Sequence, residues 1–189
     1  MTKSRHSSTR LSPEYALLGF LDQSSAHGYE LHRKLVEELG EIWHCSMSQT
    51  YNILTRLEAQ GTIEGETQAQ DKRPDKRKLH LTPAGQVRFE TWLGELSACS
   101  VHAIRVEFMT RLYFLHARDP QSAIQMAETQ IAALQKHLER LTSELQEIPE
   151  SRVFNQLGKL LRISQLGTLI PWLETCKKQL PIHVLEKAQ

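Results

Sequence analysis

The stretch Ser46-Met-Ser-Gln-Thr-Tyr-Asn-Ile-Leu-Thr-Arg-Leu-Glu-Ala-Gln-Gly61 decides the fold, because it predicts a helix with two different faces. Ser46 and Gln49 have the spacing of a capping box, in which each side chain bonds the backbone N–H of the other residue. Gly61 predicts the end of the helix, since glycine readily adopts the left-handed conformation needed there. One face is apolar apart from a threonine and predicts burial; it consists of Thr50, Ile53, Leu54 and Leu57.

The opposite face of this predicted helix is polar. It holds Ser48, Gln49, Asn52, Thr55 and Arg56. Hydroxyl and amide groups donate and accept hydrogen bonds, and the base edges in a DNA major groove offer the matching mixture of donors and acceptors. An isolated helix with such a face is more often simply solvated, so the interpretation depends on the residues just after Gly61.

A predicted hairpin with a basic tip comes directly after the helix. Residues 63–67 and 78–81 are short runs with the partial alternation of strands. Residues 72–78 contain one acid and five cationic side chains, which are Lys72, Arg73, Lys76, Arg77 and Lys78. Such a tip is unsuited to a core and suited to DNA phosphates, where it displaces counterions. Helix and hairpin together predict a winged helix-turn-helix, in which Arg56 also helps to fix the register on the DNA backbone.

The composition is that of a folded protein without a strong overall charge. The chain has 189 residues, 40% of them hydrophobic, and a formal net charge of +1. Residues 1–98 hold 12 Lys and Arg against 13 Asp and Glu, so the positive charge of the hairpin tip is local. No apolar run is long enough to predict a membrane span, and the polar start lacks the pattern of a signal peptide. Three scattered cysteines predict no disulfide framework, and a cytoplasmic location is expected.

Further helices are predicted on both sides of this motif. Ser12-Pro13 and Thr82-Pro83 are N-cap and proline pairs that predict two helix starts. A second helix beginning at Gly28 has an inward face of Leu31, Leu35, Val36 and Leu39. Residues 42–44 are expected to form a short strand beside the wing. The helix after Thr82 has an apolar stripe of Phe89, Trp92, Leu93 and Leu96.

The second half is helical in its pattern throughout. After a helix over residues 103–118, spacings of three and four alternate through Ile124, Ala127, Ile131, Leu134, Leu138, Leu141, Leu145 and Ile148, up to Pro149. The flanking positions lack the opposed charges of a two-stranded coiled coil, so this helix is expected to pack among several neighbours. A last helix from about Arg152 is expected to kink at Pro171. The predicted dimerisation residues are Ile124, Ile131, Leu134, Leu138, Leu141 and Leu145.

The predicted fold class is therefore mainly α. A basic tail over residues 1–10 precedes a winged helix-turn-helix domain over residues 11–98, and a helical dimerisation domain spans residues 103–189. The small, polar residues 97–102 mark the boundary.

Other functions receive less support. No HExxH motif or glycine-rich phosphate loop is present, so the chain is not expected to be an enzyme. His44-Cys45 and the pair Cys99 and His102 are too far apart in sequence to predict a metal site, and no cofactor is expected. A helical adaptor that binds other proteins through the heptad seam, without specific DNA binding, is the alternative.

Three stretches in order, residues 27–31, 50–61 and 78–85, resemble the PadR family of bacterial transcriptional regulators. The long helical second half looks like the PadR subgroup with a large C-terminal dimerisation domain, which includes virulence-gene activators. The resemblance implies a homodimer on a two-fold DNA site, usually a repressor, sometimes released by a small aromatic compound. It also implies that Tyr51 contacts a phosphate. Asn52 stands where the family often has proline, and its amide is able to read adenine.

The resemblance raises the question of where an aromatic effector would bind. Five large apolar side chains flank the predicted boundary, and they are Phe89, Trp92, Phe108, Met109 and Tyr113. One interpretation is an apolar cleft at the junction, where small ligands commonly bind. The other is that all five are core residues.

Overall fold

The computed structural model describes residues 12–68 and 76–180, and it confirms the mainly helical fold class with one small sheet. The chain divides into two compact units between Glu95 and Leu96. This division lies just before residues 97–102, where the sequence places the boundary. Within the described part of the chain, no helix is long and apolar enough to cross a membrane.

The first unit is a helical domain with a three-stranded antiparallel sheet. Its elements are α1 Glu14–Gln23, β1 Ala26–His27, α2 Gly28–Leu39, α3 Met47–Ala59, β2 Ile63–Gln68, β3 Lys76–Leu81 and α4 Pro83–Gly94. The strand order is β1-β3-β2, so β3 is central. We call the hairpin of β2 and β3 the wing.

The third strand of the sheet is not the predicted one. The prediction of a strand at residues 42–44 is wrong, because the backbone N–H groups of Ile42 and Trp43 both bond the carbonyl of Leu39 and continue the turn that ends α2. The two-residue strand β1 takes that place instead, and pairs Ala26 with Leu79 of β3.

The core of this unit collects the inner faces of four helices. Its fully buried side chains include Leu17, Leu18, Phe20, Leu31, Leu35, Leu57 and Phe89. Two predicted core residues are exposed instead. Val36 follows Leu35, and the rotation of α2 carries it to the outer side. Leu96 lies beyond the end of α4, where Glu95 is already extended and helical spacing no longer applies.

The helix ends around α3 follow the sequence signals closely. The Ser46 and Gln49 capping box forms in full, and Gly61 has a φ of 67° just beyond the helix. Thr82 caps α4 by accepting from the N–H of Gly85. Ser12, in contrast, is not the cap of α1, because Pro13 holds that position and no side chain caps the helix.

The second unit consists of helices packed around α7. Its elements are α5 Val101–Ala103, a π-helical turn Ile104–Phe108, α6 Met109–Arg118, α7 Pro120–Gln146, α8 Val153–Gly167 and α9 Leu169–Gln179. The expected kink is a break at Thr168, three residues before Pro171. This position agrees with its cause, because Pro171 has no N–H to give to the carbonyl of Gly167 and its ring crowds that oxygen.

Helix α7 packs against several helices of its own chain, which are α6, α8 and α9, as its flanking positions predicted. The buried cluster around it contains Ala123, Ala127, Ile131, Leu134 and Leu141 of α7, with Phe108, Leu112, Leu166 and Leu173 from its neighbours. A buried polar contact accompanies this cluster. The amide of Gln130 bonds both the backbone N–H and the carbonyl of Ser97, each at 3.1 Å. The start of the second unit is thereby fastened to α7.

Candidate nucleic-acid interface

Helix α3 presents its polar face to solvent because its other face is buried. Thr50, Ile53, Leu54 and Leu57 are all at most 8% exposed. The hydroxyl of Thr50 is engaged as well, since it lies 2.9 Å from His32 Nδ1. The predicted reading residues Ser48, Gln49, Tyr51, Asn52 and Arg56 are all exposed. The structure thus brings this predicted set together on one face of a capped helix.

The exposed residues differ in how free their polar groups are. Within the described part of the chain, Ser48 and Asn52 make no side-chain hydrogen bond. Gln49 is half engaged, because its Oε1 accepts from the N–H of Ser46 at 2.8 Å and only its NH₂ remains available. Ser48 and Asn52 therefore offer side chains whose polar groups are wholly unengaged among the described residues, whereas Gln49 offers only its NH₂ group.

Arg56 is engaged inside the first unit. Its guanidinium donates to the carboxylate of Glu14 at 2.9 Å and to the hydroxyl of Ser12 at 3.3 Å. Glu14 is buried and also accepts from Arg88 of α4. Arg56 therefore ties α3 to α1, and its predicted contact with a DNA backbone would compete with this ion pair.

The ring of Tyr51 lies close to Gly28 at the start of α2. A Cβ at Gly28 would come within 2.8 Å of the Tyr51 ring, so the ring occupies the space that a larger residue would fill. Beside it is an open cleft of about 320 Å³ lined by His27, Gly28, Tyr29, Tyr51, Leu54, Thr55, Glu58, Arg77 and Leu79. The cleft joins the start of α2, the exposed side of α3 and strand β3.

Sequence reasoning missed the residues that shape this cleft from α2. The ring of Tyr29 is parallel to that of His27, with centroids 5.9 Å apart. The pKa of Tyr29 is raised because its hydroxyl donates to the Glu30 carboxylate and lies near that negative charge. The pKa of Glu30 is lowered, chiefly because it accepts from the backbone N–H of His27. Residues 27–31 were part of the family resemblance, and this was the one signal in the sequence that could have pointed to Tyr29 and its neighbours.

The wing has an inner and an outer face with different charges. Ile63 and Leu79 lie on the inner face and are buried. The outer face carries Glu66 directly opposite Lys78, and Glu64 opposite His80 at 3.0 Å. Of the five predicted phosphate contacts, Lys78 is on the outer face and Arg77 on the inner one. Lys72 and Arg73 lie outside the described residues, and for Lys76 only the backbone is described.

Four of the six predicted dimerisation residues belong to the hydrophobic cluster within the second unit of the same chain, and they are Ile131, Leu134, Leu138 and Leu141. Ile131, Leu134 and Leu141 are buried there, and Ile124, Leu138 and Leu145 are partly buried. Exposed apolar side chains occur instead on α8, and they are Val153, Phe154, Leu157, Leu160 and Leu161, of which Phe154 is 87% exposed. Their spacing of three and four places them on adjoining positions of one helix surface.

The five residues of the predicted ligand cleft pack within their own units. In the first unit, Phe89 is fully buried and Trp92 stacks on Tyr15, with ring centroids 4.4 Å apart. In the second unit, Phe108 is fully buried, Met109 packs on the same core, and Tyr113 lies edge-on to Phe114. This packing is what the core alternative expects, and the cleft stays a prediction.

Two family models match the chain, one in each unit. The transcriptional regulator PadR-like family matches residues 17–91, and the virulence activator alpha C-terminal domain matches residues 104–181. The negative transcriptional regulator PadR of Bacillus subtilis (strain 168) is 28% identical over 138 residues, which are 73% of this chain and 75% of that protein.

Two solved structures are similar to most of the chain. Bacillus subtilis PadR in complex with operator DNA is 25% identical, with 88% of this chain and 98% of that chain covered and a TM-score of 0.44. The same protein in complex with p-coumaric acid is 23% identical, with 89% and 98% covered and a TM-score of 0.42. The matched families consist of regulators and not of enzymes. Residues 17–91 are therefore a domain of the PadR-like family of transcriptional regulators, and residues 104–181 are a domain of the virulence-activator C-terminal type.

Proposed function

We propose that this regulator binds a specific, two-fold DNA site as a homodimer and represses transcription from it. The observation that carries the proposal is the exposed pair Ser48 and Asn52, which make no side-chain hydrogen bond among the described residues and sit on a helix whose opposite face is buried. A buried inner face and a capped start hold such a helix rigidly, which is what base reading requires. Repression is supported by the similarity to PadR of Bacillus subtilis, which is a negative transcriptional regulator.

The roles within the interface depend on side-chain chemistry. Asn52 suits adenine, whose N6 and N7 an amide can contact together, and Ser48 suits several bases. Tyr51 is proposed to contact a phosphate, in line with the family resemblance, with its ring held against Gly28. Lys72, Arg73, Lys76 and Lys78 are proposed to neutralise phosphates. These contacts add affinity without sequence preference.

The proposed homodimer rests on the exposed apolar surface of α8. Several large apolar side chains in a row on one helix are unusual at a free surface and typical of an interface. A two-fold site whose half-sites lie about one helical turn apart needs two copies of α3, which supports a second copy of this chain as the partner. The adaptor alternative is favoured by the same surface, but it assigns no role to Ser48 and Asn52.

The test is selection of bound sites from a random duplex pool, followed by titration of the selected and a scrambled duplex. Asn52→Ala is expected to weaken binding of the selected duplex by about 1–3 kcal/mol and to relax preference at one position per half-site. Asn155→Ala is the matched control, since Asn155 is an exposed asparagine on α8. Equal losses on both duplexes would remove the base-reading role. Failure of the wild type to enrich any site would favour the adaptor.

Control by a small aromatic compound is a separate proposal, carried by the predicted cleft of Phe89, Trp92, Phe108, Met109 and Tyr113. A variant with Trp43→Phe and Trp172→Phe leaves Trp92 as its single tryptophan. Titration with phenolic acids should quench Trp92 and shift DNA affinity together, because a ligand acts only by binding two states unequally. Quenching without a change in DNA affinity would reject control through this cleft.

A further inference from the structure

Arg77 lies on a different face of the wing from the neighbouring Lys78. Side chains alternate along a strand, so Arg77 shares its face with Leu79 and, across the hairpin, with Ile63. Both of these residues are buried, and this face looks toward α3. The side chain of Arg77 therefore leaves β3 on the inner face of the wing, beside the core, and not on its outer face.

The side chain of Arg77 crosses strand β2 at Gly65 to reach α3. A Cβ at Gly65 would overlap the Nε of Arg77, so the absence of a side chain there opens the path. At the end of this path the guanidinium forms an ion pair with the carboxylate of Glu58. Glu58 stands in the last turn of α3, where it is only partly exposed.

The backbone of Arg77 is fixed as well. Its carbonyl oxygen lies 2.9 Å from Nδ1 of His27, which must carry the proton in this contact because a carbonyl only accepts. Arg77 is thus joined to the start of α2 by its backbone and to the end of α3 by its side chain. Both contacts border the 320 Å³ cleft between α3 and the wing.

We propose that Glu58, Gly65 and Arg77 form a clamp that fixes the wing against α3, so that Arg77 supports DNA binding as a positioning residue and not as a phosphate contact. The proposal rests on the proposed DNA-binding function. The carboxylate of Glu58 balances the charge of the Arg77 guanidinium, so a contact with a phosphate would compete with this ion pair. The clamp instead sets how the phosphate contacts of the wing are placed relative to the bases under α3.

The first test is Glu58→Gln, for which the two roles of Arg77 predict opposite results. If Arg77 contacts a phosphate, loss of Glu58 frees its charge and the protein binds DNA more tightly. If the clamp positions the wing, binding weakens by about two- to fivefold, the size expected for a half-exposed ion pair. Glu66→Gln is the matched control, because it also removes one carboxylate charge, but from the outer face of the wing, where it does not contact the clamp. It should leave affinity unchanged or raise it.

The second test separates the roles of Arg77 by salt dependence. For Arg77→Gln, the clamp predicts weaker binding with the same slope of log affinity against log salt. Loss of a phosphate contact would instead flatten the slope by about one unit. The charge-swapped double variant Glu58→Arg with Arg77→Glu should recover most of the affinity that Arg77→Glu alone loses.

The third test disturbs the clamp by a substitution that leaves every charge unchanged. Gly65→Ala displaces the Arg77 side chain and should weaken DNA binding by a similar two- to fivefold, while thermal stability is retained. Gly94→Ala serves as control, since a Cβ there meets open space. Tighter binding by Glu58→Gln, a flattened slope for Arg77→Gln, or unchanged binding by Gly65→Ala would each overturn the clamp. A wild type that binds no duplex would instead reject the proposed function itself.

Discussion

The carboxylate of Glu14 in α1 accepts from the guanidinium of Arg56 in α3 across 2.9 Å, although 42 residues separate them. The same buried carboxylate accepts from Arg88 in α4, so one acid joins three helices of the first unit. We expect Glu14→Ala to lower the free energy of unfolding by about 1–2 kcal/mol, a value reduced from that of a fully buried pair because both arginines are partly exposed. Urea titration followed by circular dichroism measures it.

The control for Glu14 is Glu37→Ala, which removes an acid from the exposed pair of Arg33 and Glu37. That change should alter the free energy of unfolding by less than about 0.5 kcal/mol. Equal effects of the two substitutions would show that Glu14 does not join the helices.

The two glycines of α4 should respond in opposite ways to alanine. A Cβ at Gly85 would overlap the backbone carbonyl of Thr62, at the base of the wing, whereas a Cβ at Gly94 meets nothing within 4 Å. Gly85→Ala should therefore destabilise the protein by about 2 kcal/mol or more, because a backbone carbonyl cannot rotate away. Gly94→Ala should be neutral or slightly stabilising. Thermal melting of both variants checks this, and similar melting temperatures would contradict it.

Charges on the exposed surface of α8 should separate the proposed dimer. Leu157→Glu with Leu161→Glu places two carboxylates on that surface, and an interface would have to desolvate them without partners. We expect the variant to sediment as a monomer at concentrations where the wild type is a dimer, with its helical circular dichroism retained. Asn155→Glu, on a polar position of the same helix, should remain dimeric. A dimeric double variant would place the interface elsewhere.

Acid should destabilise the second unit through His137. Its pKa is lowered by burial and by the nearby guanidinium groups of Arg140 and Arg162. As the pH falls, His137 therefore takes up its proton in the unfolded chain before it does so in the folded one. The contribution of neutral His137 to the free energy of unfolding is complete above the ordinary pKa of 6.5 and is lost as the pH falls through the lower pKa of the folded protein. His137→Gln should reduce the dependence of the free energy of unfolding on pH between about 7 and 5.

A titration of the His137 ring by NMR checks the cause. Arg140→Gln should raise the pKa of His137 toward its ordinary value, because one of the two adjacent positive charges is gone. An unchanged midpoint would show that the charge of Arg140 does not contribute to the lowered pKa of His137.

Local signals predicted α3 and its surroundings well. Ser46, Gln49 and Gly61 fixed both ends of the helix, and its apolar spacing identified the buried face. These features succeed because caps and amphipathic faces depend on residues only a few positions apart. The wing was predicted for the same reason, since its strands pair through a short connection.

Contacts between distant residues were beyond such reasoning. Strand β1 has two residues, and only its pairing with β3 some fifty positions later makes it a strand. The ion pairs of Arg56 and Arg77 depend on registers that no local pattern reports, so both residues were grouped with the DNA-contacting cations. For Arg77, alternation along β3 was the one available signal, because it puts Arg77 and Lys78 on opposite faces.

Gln49 is both a capping residue of α3 and a predicted reading residue, so it tolerates substitution less well than its neighbours on the polar face. Because its Oε1 completes the capping box, a substitution there would alter folding together with any base preference that Gln49 has as a predicted reading residue, whereas the side chains of Ser48 and Asn52 make no hydrogen bond among the described residues. A lineage acquiring a new operator would therefore change residues 48 and 52 first. A library built to redirect this regulator should randomise those two codons and keep residue 49 as glutamine.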